Sequence, residues 1–422
     1  MKSSRHLPAR PSRSAFRAGL AGGLLLVAVL LGGCQSYPLT PAERSKIQAA
    51  VWGYKKSINK RSFAELSPYL AKDVQVGNLL PGMAQEGFKA GMHWTPKPIE
   101  EVFILSAQRE AGGSEAKVAF FTGEQVLRLK ISFDEEGKIR GIVDDSPFQK
   151  PEIKLPDVFT SDFTVVGHLM FVRGSVDGKE GYFLLDTGAS SLLLNRKYFT
   201  PTAESGTQGV SGSIHGVRKR LGSVEVSELR WGGLLAQKVR GEVHDLSLVE
   251  KPGNTPLLGA ISHEELKNSS LVIDWPNRKI QVFATRPNGT RKANPAGPPP
   301  QVKVPFSYHS YLPMVKARIG NQTYSLLFDS GAEACVLPNK AGLGSQFRPI
   351  GLIQLSDGSA RKATGLAGEV AEMQIGGVTF TQVPVAIYSI PNLGNKGFLG
   401  TPILQKGRVE INFRAREMAF WP

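Results

Sequence analysis

Two aspartates of this 422-residue chain, Asp186 and Asp329, lie in nearly identical local sequences. Each follows three apolar residues and precedes a hydroxyl residue, a glycine and an alanine, in the orders Phe-Leu-Leu-Asp-Thr-Gly-Ala and Leu-Leu-Phe-Asp-Ser-Gly-Ala. Three consecutive apolar residues are typical of a short buried strand, and the glycine allows the backbone to turn sharply after it. The pattern therefore predicts a carboxylate at the end of a rigid strand in each half of the chain.

Two carboxyl groups held close together have a specific chemistry. Like charges in near contact raise the pKa of one group and leave the other low, so the pair shares one proton. The ionised carboxylate can take a proton from a water molecule while the protonated carboxyl donates a hydrogen bond to a carbonyl oxygen. Such a pair would hydrolyse an amide bond without a metal ion or a covalent intermediate.

The similarity between the two halves begins well before the aspartates. Leu169 precedes Asp186 by the same distance along the chain as Leu312 precedes Asp329, and the segments between them align without a gap. An internal repeat of this size predicts two equivalent lobes.

A second signature follows each aspartate at a similar distance. Leu-Leu-Gly at 257–259 follows the first aspartate, and Phe-Leu-Gly at 398–400 follows the second at nearly the same separation. This spacing pairs the glycine at 259 with the glycine at 400. Each signature precedes a segment predicted to be a closing β-hairpin, at 271–282 and 409–420.

These motifs resemble those of the retropepsin-like (clan AA) aspartic proteases, over roughly residues 155–422. The resemblance implies a mainly β fold with two tandem closed β-barrel lobes, arranged as a pepsin-like pseudo-dimer after a small α+β domain. In retroviral members the two halves belong to two chains, whereas this chain carries both. A monomer with lobes paired within the chain is therefore favoured, and pairing between two chains in a homodimer is the alternative.

The same resemblance assigns the site residues. It implies that Asp186 and Asp329 are the catalytic pair. The residues expected to support them are Thr187, Gly188, Ser330 and Gly331. The two hydroxyl residues would form hydrogen bonds across the pseudo-two-fold axis, and the two glycines would allow the close approach. The following alanines have no hydroxyl to stabilise the ionised carboxylates, so we expect a pH optimum nearer neutral than that of pepsin.

Residues 1–34 have the layout of a bacterial export signal. Five basic residues precede an apolar run at 20–31, which is too short to be a comfortable membrane span. The run ends in Leu-Gly-Gly-Cys, which resembles a lipobox and predicts lipidation of Cys34. Because Gln35 is not the aspartate that commonly retains lipoproteins at the inner membrane, we expect a periplasmic protein anchored in the outer membrane. A plain secretory signal or an N-terminal anchor is the alternative.

Residues 35–150 are predicted to form a separate α+β domain. Thr40 and Glu43 form a capping-box pattern at the start of one helix, Ser62 precedes a second helix that continues to Leu70, and alternating apolar residues flank a turn at 134–138. The order of elements is similar to that of the NTF2/SnoaL-like fold. We expect this domain to bind or position a substrate, or to separate the lobes from the membrane.

The remaining chain divides into two lobes and a linker. The first lobe is predicted at 151–285 and the second at 303–422, joined by a linker at 286–302 that is rich in Pro and Gly. Glycine-rich stretches at 209–216 and 356–360 lie where this family places the flaps that cover the cleft. Ordinary exposed turns are the alternative for both stretches.

Composition excludes several other classes of function. The net charge is +15, but the basic residues are scattered and no nucleic-acid motif is present. None of the seven histidines has a metal-ligand spacing, so neither a metal nor another cofactor is predicted. If Cys34 carries lipid, Cys335 has no partner for a disulfide, and we expect it to be a small buried side chain.

These observations predict a periplasmic, membrane-anchored aspartic endopeptidase. Its substrate would be a protein or peptide, hydrolysed by water activated between two aspartates. The alternative is a non-catalytic peptide-binding or scaffold lipoprotein that keeps the aspartic protease fold.

Overall fold

The chain folds mainly into β-strands in a computed structural model. The structure describes residues 38–77, 79, 83–92, 98–122, 125–145, 151–201, 210–213, 216–219, 222–247, 249, 252–294, 298–309, 311–338, 343–356, 362–390 and 393–421. Cys34 and the predicted export signal lie outside the described residues.

The first domain consists of helices packed on a β-sheet. Its elements are α1 (Pro41–Lys60), α2 (Phe63–Leu66), β1 (Leu70–Val76), α3 (Ala84–Gly91), β2 (Glu101–Glu110), β3 (Gly113–Thr122), β4 (Gln125–Phe133) and β5 (Ile139–Asp144). The described strands lie in the order β1-β5-β4-β3-β2, with β1 parallel to β5 and the other neighbours antiparallel. A hydrophobic core of its own joins the helices to this sheet. The α+β domain is thus present, and its likeness to the NTF2/SnoaL-like fold stays a prediction.

Both predicted helix starts in this domain agree with the structure. Thr40 caps α1 through the predicted capping box, in which the Glu43 carboxylate accepts a hydrogen bond from the Thr40 N–H at 2.7 Å. The second helix begins after Ser62, as predicted, and α2 continues into a 3-10 turn at Ser67–Tyr69. Leu70, the last residue of the predicted helix, is instead the first residue of β1.

The first lobe contains a closed ring of strands. Its elements are β6 (Glu152–Lys154), β7 (Val158–Asp162), β8 (Thr164–Val166), β9 (Leu169–Val176), β10 (Lys179–Leu185), β11 (Leu193–Asn195), β12 (Val210–Ser213), β13 (Gly216–Lys219), β14 (Ser223–Trp231), β15 (Leu234–His244), β16 (Leu257–Ile261), α4 (His263–Leu266), β17 (Ser269–Asp274) and β18 (Lys279–Ala284). Strands pair in the cyclic order β9-β10-β16-β11-β15-β14 and back to β9.

The second lobe repeats this ring strand for strand. Its elements are β19 (Val302–Pro305), β20 (Ser307–His309), β21 (Leu312–Ile319), β22 (Gln322–Phe328), β23 (Cys335–Leu337), β24 (Phe347–Ser356), β25 (Lys362–Ile375), β26 (Val378–Ile387), β27 (Lys396–Leu399), α5 (Thr401–Leu404), β28 (Arg408–Asn412) and β29 (Glu417–Trp421). The cyclic order is β21-β22-β27-β23-β26-β25 and back to β21. Two tandem closed β-barrels after an α+β domain confirm the predicted fold class.

The two lobes are joined by one continuous sheet. Its strands lie in the order β19-β29-β28-β17-β18-β7, so the predicted closing hairpins of both lobes lie side by side. Strands β17 and β28 are antiparallel neighbours, with Val272 opposite Glu410. A hydrophobic core runs through both lobes. Within this chain, backbone hydrogen bonds and apolar packing both hold the lobes together.

The linker between the lobes is partly tied to this sheet. Arg291 forms an ion pair with Glu410 of β28 at 3.1 Å, and the Pro298 carbonyl accepts a hydrogen bond from the Trp421 indole at 3.0 Å. Val302, the last predicted linker residue, already belongs to β19. Side-chain contacts therefore hold parts of a Pro- and Gly-rich stretch that has no helical or strand pattern of its own.

Candidate active site

Both aspartates lie at the ends of equivalent strands. Asp186 follows β10 and Asp329 follows β22, and each of these strands has an antiparallel partner on one side and a parallel partner on the other. The Asp186 N–H donates to the Ile261 carbonyl at 2.9 Å, and the Asp329 N–H donates to the Leu399 carbonyl at 3.1 Å. Each aspartate is therefore fixed by the strand that follows the flap region of its own lobe.

These hydrogen bonds correct the pairing of the second signature. Because Ile261 and Leu399 are equivalent, Gly400 corresponds to Ser262, and Gly259 corresponds to Gly397. The sequence pairing of Gly259 with Gly400 was therefore wrong.

Local chemistry explains the correction. A Cβ atom at 259 would overlap the Leu193 carbonyl oxygen, and a Cβ atom at 397 would overlap the Val336 carbonyl oxygen. Both glycines therefore allow the same close crossing of two strands. Ser262 differs from Gly400 because its side chain caps α4 by accepting a hydrogen bond from an N–H of the first turn.

The hydroxyl residues after the aspartates exchange hydrogen bonds between the lobes. The Thr187 N–H donates to Ser330 Oγ at 3.0 Å, and the Ser330 N–H donates to Thr187 Oγ1 at 3.0 Å. Ser330 Oγ also donates to the Leu185 carbonyl at 2.8 Å. Both side chains are fully buried. This reciprocal pair holds the two strand ends against each other.

The two carboxyl groups meet at this junction and are joined by a hydrogen bond. Asp186 Oδ1 accepts from the N–H groups of Gly188 at 2.9 Å and Ala189 at 3.0 Å. Asp329 Oδ1 accepts from the Gly331 N–H at 2.8 Å. Main-chain donors therefore orient both carboxyls toward a common point.

The two glycines make this contact possible. A Cβ atom at 188 would lie 2.5 Å from Asp329 Oδ2, and a Cβ atom at 331 would lie 2.5 Å from Asp186 Oδ1. Both separations are shorter than any ordinary contact between carbon and oxygen. Each lobe therefore leaves room for the carboxyl group of the other by having no side chain at this position.

Electrostatics separates the roles of the two carboxyls. Burial raises the pKa of Asp329 well above its usual value, and the negative charge of Asp186 raises it further. Backbone N–H groups of Gly331 and Gly188 oppose this shift. The raised pKa favours the protonated form of Asp329, which can donate a hydrogen bond to Asp186.

Three further residues support the turns that follow the two aspartates, and none of them was singled out from the sequence. The Tyr311 hydroxyl donates to the Gly188 carbonyl at 2.6 Å, and the His263 N–H donates to the Ala189 carbonyl at 3.0 Å. In the second lobe Thr401 occupies the place of His263 and donates to the Ala332 carbonyl through both its N–H and its hydroxyl. The corrected alignment is the signal that would have found His263 and Thr401.

The ring of His263 differs from an ordinary exposed imidazole. Burial, and to a lesser degree the charge of Lys267, lower its pKa to about 4, so it is neutral near pH 7. Its ring packs between Tyr308, Tyr311 and Phe413. The first lobe thus supports the turn after Asp186 with an aromatic cluster, where the second lobe supports the turn after Asp329 with a hydroxyl.

The predicted flaps are partly within the described residues. Strands β12 and β13 form an antiparallel pair over the first predicted flap, and β24 pairs with β25 on either side of the second. Gly209, Ile214, His215 and residues 357–361 lie outside the described residues.

Other predicted features can be located as well. Cys335 is fully buried, as expected, and burial raises the pKa of its thiol to about 12. The described residues contain no group of three or more His, Cys, Asp or Glu side chains suited to a metal ion. No helix among them has the length and apolar character needed to span a membrane.

Comparison with known proteins finds a match to a family model and similarity to solved structures. A family model described as "Aspartyl protease" matches residues 315–403, which include Asp329 and the second signature. Among solved structures, Basic 7S globulin from soybean is similar, with a TM-score of 0.37 and 13% identity over 63% of this chain and 94% of that one. An aspartic proteinase from Irpex lacteus has a TM-score of 0.39 and 13% identity over 62% of this chain and 96% of that one. No curated protein matches the sequence. The family match around Asp329 and the two closed β-barrels support an aspartic protease-like fold.

Proposed function

We propose that this protein is an aspartic endopeptidase that uses Asp186 and Asp329 as a catalytic pair. The observation that carries the proposal is the direct hydrogen bond between the two carboxyls, held by the Thr187 and Ser330 exchange. A partly buried pair of carboxyls can share one proton and use it in acid and base catalysis.

The geometry supports a specific sequence of proton transfers. Asp186 in its ionised form accepts a proton from a water molecule held between the carboxyls, and the oxygen of this water bonds to the peptide carbonyl carbon. Asp329 donates its proton to the carbonyl oxygen as the carbon becomes tetrahedral. The proton on Asp186 then passes to the amine nitrogen as the C–N bond breaks, and Asp329 recovers a proton from a hydroxyl of the tetrahedral carbon.

Cleavage of an unfolded protein of known sequence tests this function. The purified protein would be incubated with unfolded protein of known sequence, and new termini would be identified by mass spectrometry. We expect new termini with the natural chain and none with the double variant Asp186→Asn/Asp329→Asn. No cleavage by a correctly folded natural chain, together with binding of the same unfolded protein, would favour the non-catalytic peptide-binding role instead.

The pH dependence of hydrolysis should reflect the raised pKa of Asp329. Activity needs one proton on the pair, so it is lost as pH rises through the pKa of Asp329 and also at low pH, where both carboxyls are protonated. Because that pKa is raised, we expect the alkaline limb of kcat/KM well above the ordinary aspartate value of about 3.9. A profile of kcat/KM against pH measures the position of this limb. An alkaline limb at the ordinary aspartate value would contradict the raised pKa of Asp329.

We further propose that the protein acts in the periplasm, anchored through lipid on Cys34, with its lobes paired within one chain. The export-signal pattern of residues 1–34 supports the location, and the continuous sheet formed by β17 and β28 supports the pairing. A protein or peptide would be the substrate.

Replacing the proposed lipidation site tests the anchor. Cys34→Ser should move the protein from the membrane fraction to the soluble fraction, because an acyl chain can no longer be attached. Cys335→Ala is the control, since it removes the other cysteine and should leave the protein with the membrane. Fractionation followed by immunoblotting gives the result, and equal membrane retention of both variants would exclude lipidation of Cys34 as the anchor.

A further inference from the structure

An apolar surface of the second lobe lies beside Asp329. Side chains alternate along β22, so Leu326 and Phe328 face the barrel core while Leu327 faces the same side as Asp329. Leu327 is part of a cluster that we call the lobe 2 apolar face. Its members are Leu312, Leu327, Val336, Ile390, Leu393 and Phe398. Tyr311 packs on this cluster and bonds to the Gly188 carbonyl, so the face reaches the catalytic turns.

This face is covered by two side chains of the first domain. Leu79 and Met83 belong to the same cluster and are only 3% and 0% exposed. Leu79 is placed by a tight turn after β1, in which its N–H donates to the Val76 carbonyl at 3.0 Å and Gly77 has a φ of 51°. Met83 is the N-cap residue of α3, and its main-chain carbonyl accepts a hydrogen bond from the Gly87 N–H at 2.9 Å. The first domain thus places two bulky apolar groups next to the catalytic strand.

The equivalent face of the first lobe is more exposed, because no residue of the first domain covers it among the residues that the structure describes. Leu169 and Leu184 are the counterparts of Leu312 and Leu327 and stay 9% and 8% exposed, whereas Leu312 and Leu327 are 1% and 0% exposed. Within the part of the chain that the structure describes, the first lobe's cluster contains only residues of that lobe. The first domain therefore covers one side of the pseudo-symmetric site.

The first domain also contacts the other lobe. Helix α3, which begins directly after Met83, lies against the hairpin of β12 and β13. This hairpin is the predicted flap of the first lobe. One short region thus contacts the flap of one lobe and the apolar face of the other.

We propose that the first domain inhibits the site by acting as its own ligand, with Leu79 and Met83 occupying an apolar subsite beside Asp329. The proposal rests on the proposed peptidase function. It assigns to this subsite peptides with a large unbranched or γ-branched apolar side chain, such as Met or Leu. A substrate must displace these two side chains, so the apparent affinity is reduced by the fraction of molecules in which the subsite is vacant.

The test compares two double variants that remove similar atoms. Leu79→Ala/Met83→Ala vacates the subsite. Leu66→Ala/Met92→Ala is the matched control, because these residues are 0% and 2% exposed in the separate core of the first domain. Met83 and Met92 flank opposite ends of α3, so the control perturbs the same helix.

Binding is measured apart from turnover. In an Asp329→Asn background, each protein is titrated with a fluorescein-labelled peptide that has the sequence of residues 74–85, and fluorescence anisotropy reports its Kd. We expect the subsite variant to bind at least about tenfold more tightly than the natural sequence and the control. A peptide with Ser in place of Leu79 and Met83 should lose this gain.

Turnover is measured with Asp329 present. The subsite variant should hydrolyse Leu- and Met-containing peptides with a kcat/KM at least about tenfold higher than the control. Equal binding, or no binding, by all three proteins in the titration would overturn self-inhibition. Tighter binding without cleavage by any protein would overturn the proposed peptidase function and leave self-occupation of the subsite in place.

Discussion

We expect replacement of Asp329 by Asn to lower kcat/KM for peptide hydrolysis by about 10⁴-fold, the upper range for loss of a general acid or base. The amide keeps the size and shape of the carboxyl but cannot deliver the shared proton to the carbonyl oxygen. Asp186→Asn should have a similar effect, because an amide cannot accept a proton from water. Rates from single-turnover assays measure both losses, and activity within about tenfold of the natural chain in either variant would exclude the proposed roles.

At high pH, Asp329→Asn should be more stable than the natural chain. Burial and the charge of Asp186 raise the folded-state pKa of Asp329, so its contribution to stability is present below the unfolded-state pKa and is lost as pH rises through the folded-state value. The neutral amide has no such loss. Thermal unfolding at pH 8 should therefore show a higher Tm for Asp329→Asn than for the natural chain. The same measurement shows whether the variant is correctly folded.

Adding one methyl group at either junction glycine is the second large effect that we expect. Gly188→Ala and Gly331→Ala each place a Cβ atom 2.5 Å from a carboxyl oxygen of the opposite lobe. The lobes or the carboxyls must move apart, and a shift of about 1 Å at a catalytic group costs about 10²-fold in rate. Overpacking at a buried contact should also lower the free energy of unfolding by about 1–3 kcal/mol.

A third glycine provides the matched control for this prediction. Gly351 has open space where a Cβ atom would be placed, and its backbone does not have a positive φ. Gly351→Ala should therefore leave both kcat and the unfolding free energy close to those of the natural chain. Kinetic assays and chemical denaturation of the three variants compare them directly. Full activity of Gly188→Ala and Gly331→Ala would show that close approach of the carboxyls is not needed for hydrolysis.

Much of this site could be predicted because the chain contains its pattern twice. Strands β9 and β21 begin at the aligned Leu169 and Leu312 and have the same length, so the repeat gave the correct register up to the aspartates. Local rules also placed the start of α1, where the capping box depends on neighbouring residues only. These features are determined by contacts that are short in sequence or duplicated.

Features that depend on unique tertiary contacts could not be predicted in this way. The sequence alignment of the two lobes after the flaps was wrong because their loops differ in length. Ser262 in the first lobe is equivalent to Gly400 in the second. Leu79 and Met83 are ordinary apolar residues in the sequence, and nothing local distinguishes a side chain that packs on another domain from one in its own core. Tyr311 is likewise linked to Gly188 only through the fold.

The pairing of β17 with β28 limits which parts of this chain can be stable alone. Each lobe supplies an inner strand whose hydrogen-bonding edge is covered only by the other lobe. A half-chain synthesised alone would present that bare edge to solvent and would be prone to join another copy of itself. Both halves are therefore needed together, because loss of either one would leave an exposed strand edge that favours aggregation.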